Sequence, residues 1–406
     1  MNAGGPVDVD LTGHEPLSEF DEQMLREAAA AGAAVRRNTS PNPWVGAVLI
    51  PADARAGDAT GARFVGATAP PGGNHAEVAA IARAAAAGVD TTGATLYVTL
   101  EPCAHHGRTP PCVDAIVSAG ISRVVVGLLD PDQQVSGRGV QMLRANQIRV
   151  DIANEVPDTR FDETELATQL GRGALDPSPV AVIKDSLRAY LHQRRTGRPW
   201  VVLKVAASLD GKSAAADGTS QWITGPAARA DGHEWRADSD AIVVGAGTVR
   251  ADNPRLTARP GGIEWAGRQP RRIVLGHAPA SAAIQPCESW TRDKGSPADL
   301  LDTLSREGVL QVLLEGGPTV AGEWHRAGLV DEYLWYVAPG LLGSSAVGAV
   351  ADTASPVGRG SISDMWRGEI VDLRQLGDDV RIVMRPRAAP SAAGGPEHRG
   401  VRRGKT

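Results

Sequence analysis

Cysteine is scarce in this chain: Cys103, Cys112 and Cys287 are the only three among 406 residues. An odd and sparse set excludes a disulfide framework and points instead to metal ligation or catalysis in a reducing compartment. No apolar run approaches the roughly 20 residues of a membrane helix, so no membrane association is expected. The opening MNAGGPVDVDLTGHEPLSEF has no basic start followed by an apolar stretch, so no signal peptide is expected either, and the cytoplasm is the expected compartment. Excess positive charge is absent as well. A formal net charge of -5 offers no basic field for nucleic acid, and nucleic-acid partners are not expected. There is no internal repeat.

What is present is an α/β pattern. With 42% hydrophobic and 22% charged residues, a chain of this length is expected to form two domains, each large enough for its own core. Helical spacing runs from Leu17 to Gly32, where the glycine could end the helix, and Asn38 to Pro43 reads as a loop. Strands are expected at Val45 to Ile50, Arg63 to Gly66, Ala94 to Leu100, Arg123 to Leu128 and Arg149 to Ile152, with helices at His75 to Ala87, Val113 to Ala119 and Val140 to Asn146. The alternation predicts a mostly parallel sheet covered on both faces. Rhythm is lost between Asn154 and Pro199, which predicts a connector in which Ser186 to Arg195 could form a helix. A second α/β series follows: strands at Trp200 to Ser208, Ala241 to Gly245, Arg271 to Gly276 and the run ending at Gly316, and helices at Ala227 to Arg236, Ala298 to Glu307 and from Thr319. The expected partition is 1–155, a connector at 156–198, 199–386, and a disordered tail at 387–406, which is rich in Ala, Gly, Pro and Arg.

The stretch Thr99 to Cys112, TLEPCAHHGRTPPC, places two cysteines nine positions apart, each after a proline. Upstream, Asn74-His75-Ala76-Glu77 opens a helix. Both segments fall at strand-to-helix turns, where open α/β sheets place ligands. A cysteine at a helix start is favoured as thiolate, the form that zinc binds. His75, Cys103 and Cys112 supply three ligands and leave the fourth position for water, as in a catalytic zinc site. Glu77 is then free to take and return protons. A structural zinc would need a fourth ligand, which His105 or His106 could supply.

H-A-E followed by P-C and a second cysteine resembles the zinc deaminases of ring amines. Those usually space their cysteines C-x-x-C; eight residues intervene here. With SPNPWVGAV, TLEPC, AGISRVVVG and DPD, the first part resembles the deaminase half of the bifunctional riboflavin-biosynthesis deaminase/reductases. The resemblance implies a cytidine-deaminase-like three-layer α/β/α domain acting on 2,5-diamino-6-(5-phosphoribosylamino)pyrimidin-4-one. It places Asn42 on the pyrimidine, while His105 and Arg108 in the long insertion suit a phosphate. Two departures from the family pattern are the loop VGATAPPGGN, without the histidine many members carry, and DPDQQ, which puts Asp132 where Asn is common. They leave open a paralogue acting on a related pyrimidine.

No G-x-G-x-x-G follows Pro199, so a standard dinucleotide fold is not indicated. Two other glycine turns follow strands: Val244 to Thr248, and Leu314 to Thr319, which opens a helix whose N–H groups could hold a pyrophosphate. KVAASLDGKSAAADGTSQWITG, EWRADSDAIVVGAGTVRADNPRLTAR and LLEGGPTVAGEWHRAGLVDE resemble the reductase half of the same family. That implies a dihydrofolate-reductase-like α/β domain using NADPH, and with the first half a Zn2+ and NADPH enzyme of small phosphorylated pyrimidines, expected to be a homo-oligomer. Carried over residue by residue, Lys204, Ser220, Arg236, Leu256, Arg259 and Glu315 fall on the substrate side. Ala206, Trp222, Thr224, Thr248, Asp252, Gly316, Gly317, Pro318 and Thr319 fall on the cofactor side. Lys204, Asp252 and Glu315 are the ionisable groups available to steady an opened sugar, with a salt bridge among them as the alternative.

Overall fold

The computed structural model describes residues 17–54, 61–105, 110–132, 136–153, 178–351 and 361–387. The expected tail, apart from Arg387, and the first part of the expected connector lie outside these residues. Two compact units form, one of Met1–Val201 with Arg229–Gly316 and one of Val202–Ala228 with Gly317–Thr406.

In the first unit, helix α1 (Glu19–Thr39) starts at Ser18, whose hydroxyl and the Asp21 carboxylate form a reciprocal capping box. It runs past Gly32 and takes in Asn38 and Thr39, contrary to the expected stop. Gly32 serves packing here: a Cβ on it would stand 2.4 Å from the Trp44 carbonyl oxygen, and one on Gly46 would stand 1.8 Å from that of Ala28. The two glycines let α1 lie directly on strand β1 (Gly46–Ile50). Strands β2 (Phe64–Ala67) and β3 (Thr95–Leu100) flank β1, joined by helix α2 (Ala76–Ala86). Helix α3 (Cys112–Ser118), strand β4 (Arg123–Leu128), helix α4 (Arg138–Ala145) and strand β5 (Arg149–Ile152) complete the sheet, in the order β2-β1-β3-β4-β5.

This sheet is mixed rather than mostly parallel. β1 pairs antiparallel with both β2 and β3, and only β3–β4 and β4–β5 are parallel. The helical crossover through α2 joins two parallel strands, as such connections must, but it steps over β1, which came earlier by a hairpin and runs the other way. Alternation in sequence does not reveal that interposed strand.

Helix α5 (Pro179–Thr196) contains the helix expected in the connector and is longer. It starts at the Ser178 cap and buries Ile183, Leu187, Tyr190 and Leu191 in the same core as β1, β3 and β4. Trp44 Nε1 donates to the Ser186 carbonyl at 3.0 Å. The chain continues through strands β6 (Trp200–Ser208) and β7 (Lys212–Ala214) and helix α6 (Pro226–Ala237), most of which returns to the first unit. There, strand β8 (Ala241–Gly245), helix α7 (Ala246–Asp252), strands β9 (Arg271–Leu275) and β10 (Glu288–Trp290), helix α8 (Pro297–Arg306) and strand β11 (Gln311–Leu314) follow. β10, β9, β8 and β11 are parallel neighbours in that order. Arg37 of α1 donates to Glu234 of α6 and to Asp238 just after it, at 2.7 Å each.

In the second unit, helix α9 (Pro318–Arg326) is followed by strands β12 (Glu332–Ala338), β13 (Val347–Gly348), β14 (Gly368–Leu376) and β15 (Asp379–Pro386). β12 lies parallel to β6 and antiparallel to β15, which pairs with β14. The structure thus adds strands past Thr319 to the expected elements. The hairpin turns at Gly377, φ +66°, a left-handed position that suits glycine.

A buried carboxylate ties the first sheet to α1. Asp21 accepts from Tyr97 of β3 at 2.7 Å and from Arg123 of β4 at 2.7 and 3.2 Å, and Arg123 also donates to Asp151 of β5 at 2.7 Å. Burial alone would raise the Asp21 pKa, but the hydrogen bonds from Arg123, Tyr97 and Ser18 prevail and lower it to about 2. A depressed carboxylate stabilises the fold above its unfolded pKa, and that contribution fades as pH falls toward the folded value. Asp21→Asn should therefore cost about 2 kcal/mol at pH 6, and the deficit should shrink between about pH 4 and 2. Urea unfolding of variant and parent across that range measures it.

Candidate functional site

The ends of β2 and β3 deliver the first group of side chains. His75 caps the start of α2 with its backbone extended, and Glu77 sits in the first turn, only 3% exposed. Cys112 is the first residue of α3, behind Pro111. Cys103 does not stand at a helix start, contrary to expectation; it lies in the loop after β3. Its sulfur still uses a helix N-terminus, accepting from the Cys112 backbone N–H at 3.3 Å.

The ligand atoms of His75, Cys103 and Cys112 lie within 4.8 Å of one another. The sulfurs are 3.5 Å apart, and His75 Nδ1 is 3.2 Å from Cys112 Sγ and 3.6 Å from Cys103 Sγ. Tetrahedral zinc with Zn–S of about 2.3 Å and Zn–N of about 2.05 Å spans about 3.8 Å between sulfurs and about 3.6 Å between sulfur and nitrogen. The donor set and its spacing therefore fit zinc. Electrostatics favour a thiolate at Cys103. The Cys112 thiol, then the His75 ring, hold Cys103 toward the thiolate against the effect of burial. Cys112 is pushed up by the Cys103 sulfur and by burial. Burial, helped by the charge on Cys103, pushes Glu77 up to about 7, a value suited to gaining and losing a proton near neutrality.

Asn42 lies in the turn between α1 and β1, its N–H donating to the Thr39 carbonyl at 2.9 Å. His105, two residues after Cys103, is exposed. Arg108 and His106 lie outside the described residues. The two family departures have structural partners: Thr68 is buried, with its hydroxyl on the Val45 backbone, and Asp132 stands 3.6 Å from Arg194 of α5.

Glu101, unremarked in the sequence reading, organises the loop behind the site. Its carboxylate accepts from the N–H groups of Asp130, Gly137 and Val140 at 3.3, 2.9 and 3.2 Å. It thereby satisfies the start of α4 from a distant strand. Asp130 in turn accepts from Tyr190 of α5 at 2.9 Å. A lone carboxylate closing the apolar strand TLYVTL was the available signal.

Residues expected in the reductase fall in both units. In the first, Arg236 of α6 donates from Nε and Nη2 to both oxygens of Glu315, at 2.5 and 2.8 Å. Glu315 is thus in a salt bridge with Arg236. Arg259 donates to Thr257 Oγ1 at 2.6 Å and meets His233 Nε2 at 3.1 Å. Thr248 and Asp252 lie on α7, and Gly316 follows Glu315. Leu256 is buried at φ +50°, a conformation costing a side chain about 1–2 kcal/mol. In the second unit, Lys204 and Ala206 share one face of β6, and Lys204 Nζ is 5.8 Å from the Tyr336 ring centre. Ser220 is half-buried, Trp222 exposed and Thr224 buried. Gly317 caps α9, which opens with Pro318 and Thr319.

A histidine and two cysteines around a buried glutamate, at strand ends of an α/β sheet, define a zinc-dependent deaminase. Residues 18–128 match the family described as cytidine and deoxycytidylate deaminase zinc-binding region, and 199–381 match the RibD C-terminal domain. The riboflavin biosynthesis protein RibD of Mycobacterium tuberculosis H37Rv is 40% identical over 374 residues, 91% of this chain and 98% of that protein. Its Escherichia coli K12 counterpart is 35% identical over 396 residues, covering 89% and 98%. Among solved structures, Acinetobacter baumannii RibD superposes with a TM-score of 0.76 at 33% identity, covering 91% of this chain and 99% of that one. A Thermotoga maritima protein described as a diaminohydroxyphosphoribosylaminopyrimidine deaminase/5-amino-6-(5-phosphoribosylamino)uracil reductase gives 0.73 at 28%, covering 90% and 99%. The chain belongs to the RibD family of bifunctional riboflavin-biosynthesis deaminase/reductases. It joins a cytidine-deaminase-like zinc domain to an NADPH-using reductase domain.

Removing one thiolate should remove the metal. Cys112→Ala is expected to lower bound zinc from about one per chain to a small fraction, since three ligands cannot be replaced by two. Elemental analysis of the purified protein measures it, with NADPH-dependent reduction retained.

Proposed function

We propose that the chain deaminates 2,5-diamino-6-(5-phosphoribosylamino)pyrimidin-4-one at the His75–Cys103–Cys112 centre and then reduces the ribosyl group of the product to ribityl. The observation that carries the first step is the buried Glu77 carboxyl beside the three convergent ligand atoms. Zinc, when bound, activates the attacking water. Glu77 takes one proton from that water and delivers it to the ring nitrogen as the water oxygen bonds the amine-bearing carbon, then carries the second proton, from the new hydroxyl, to the amine, so that the C–N bond breaks, ammonia departs and a carbonyl remains. Burial equips it for both directions by bringing its pKa to about 7. Asn42 orients the pyrimidine, and His105 and Arg108 attend the phosphate.

NADPH supplies the hydride for the second step. The protein's own contribution is positioning. Ala206, Trp222, Thr224, Thr248, Asp252 and the turn Gly316 to Thr319 take the cofactor side. Lys204, Ser220, Leu256 and Glu315 take the sugar and base, and Arg236 and Arg259 the phosphate. The salt bridge to Glu315 holds Arg236 in a fixed orientation. The partition into functional domains, 1–155 and 199–386, follows the same division of labour, and the enzyme is cytoplasmic.

Glu77→Gln should slow ammonia release by about 10²–10⁴-fold, with zinc content and reductase turnover unchanged. Incubation with the diaminopyrimidinone phosphate, with and without NADPH, and mass analysis of products test this. Loss of both activities would overturn the two-site reading.

The enzyme also works as a homo-oligomer in this reading. β14 ends its group of strands, and Ile370, Val371 and Leu373 on it are 54, 40 and 52% exposed, a liability that a second copy would cover. Leu373→Lys should shift the particle toward the monomer mass in sedimentation, and an unchanged mass would remove this surface from consideration.

A further inference from the structure

Helix α6 presents His233 and Arg236 three residues apart, so they share a face. Arg236 is committed to the Glu315 carboxylate. Arg259 is held differently. Among the described residues no carboxylate is in salt-bridge contact with it, Glu264 acting on it only at longer range, and its hydrogen-bond partners are neutral groups, Thr257 Oγ1 at 2.6 Å and His233 Nε2 at 3.1 Å. A guanidinium only donates, so Nε2 carries the lone pair and the imidazole proton sits on Nδ1. The Thr257 carbonyl lies near enough to that ring to favour its protonated nitrogen. Nδ1 lies 3.4 Å from Arg236 Nη1, which also reaches the Thr257 carbonyl at 3.5 Å, so two donors converge on one oxygen. The neutral ring persists at neutral pH, because burial and then the charges of Arg236 and Arg259 press its pKa down to about 4.

A neutral holder has a consequence that a carboxylate would not. Glu or Asp beside Arg259 would fix it and also cancel its charge, competing with any arriving anion. The imidazole fixes the guanidinium and leaves the charge in place.

We propose that His233 is a positioning residue of the reductase phosphate site: its neutral ring, anchored by the Thr257 carbonyl, orients Arg259 while keeping that cation's charge for the substrate phosphate. The proposal rests on the assignment of Arg259 to the phosphate made above.

The test is steady-state reduction of 5-amino-6-(5-phosphoribosylamino)uracil by the full chain at saturating NADPH, alongside the same compound lacking its phosphate. His233→Leu should raise KM for the phosphorylated substrate about tenfold, the loss expected for a hydrogen bond to a charged group, with kcat within about twofold and the KM of the phosphate-free compound unchanged. His233→Gln, whose amide can accept from Arg259 and donate to Thr257, should recover most of that loss. His233→Glu, which would hold Arg259 but neutralise it, should raise KM as His233→Leu does; it decides the matter if the leucine variant does not fold. Arg259→Ala separates the two claims. If it raises KM only for the phosphorylated compound while the His233 variants do not, the role of His233 is overturned and the phosphate assignment stands. If Arg259→Ala changes nothing, the assignment itself falls and the proposal with it. Equal KM increases for both compounds, or no recovery with glutamine, would reduce His233 to a structural residue.

Discussion

Two thiols, an imidazole and a carboxyl are brought together in the interior of the first unit, and this concentration of proton-binding groups is the constraint around which that unit is arranged. Sulfurs 3.5 Å apart cannot both carry a proton-free charge without a cation to balance them. Fixing their positions requires that the loops after β2 and β3 be held from behind. The Glu101 carboxylate does so for one side, satisfying three backbone N–H groups at the start of α4 and in the loop before it. Tyr190 reaches the same loop from α5 through Asp130. The reactive groups thus stand on supports that are themselves fully hydrogen-bonded, which is what keeps a ligand set at bonding distance from a metal.

Helix α5 is an integral layer of the deaminase core rather than a tether, since Ile183 and Leu187 are completely buried and Trp44 is fastened to its backbone. Arg194, near its C-terminal end, stands 3.6 Å from Asp132. The family's usual asparagine at that position would not form this ion pair.

Much of the fold was legible because its cues are local. Runs such as RVVVGL and AIVVG bounded by turn residues were read to within a residue, and of the two prolines preceding cysteines, Pro111 marks a helix start while Pro102 does not. What escaped depends on residues distant in sequence. Gly32 looked like a helix terminus because glycine usually is one; it is internal because Trp44 and Gly46 press against it. The direction of β1 could not be read from alternation, and Glu315 accepts from Arg236, 79 residues earlier in the chain. At the zinc centre, spacing and residue type carried the reading of His75, Cys103, Cys112 and Glu77, whereas Glu101 and His233 belong to networks that only tertiary structure assembles. Arg108 lies outside the described residues, so its place near the phosphate stays with the proposal.

The first unit closes on itself through residues made very late. Arg36 and Arg37, near the end of α1, find their partners at Gln311, Glu234 and Asp238, and the Trp200 N–H bonds the Leu310 carbonyl. A ribosome emits this chain from the N-terminus, so α1 can dock on β1 early while two arginines on its last turns wait for about 200 to 275 further residues. The contacts of α1 thus fall into two classes, local ones with β1 and distant ones that require α6 and β11 to be present.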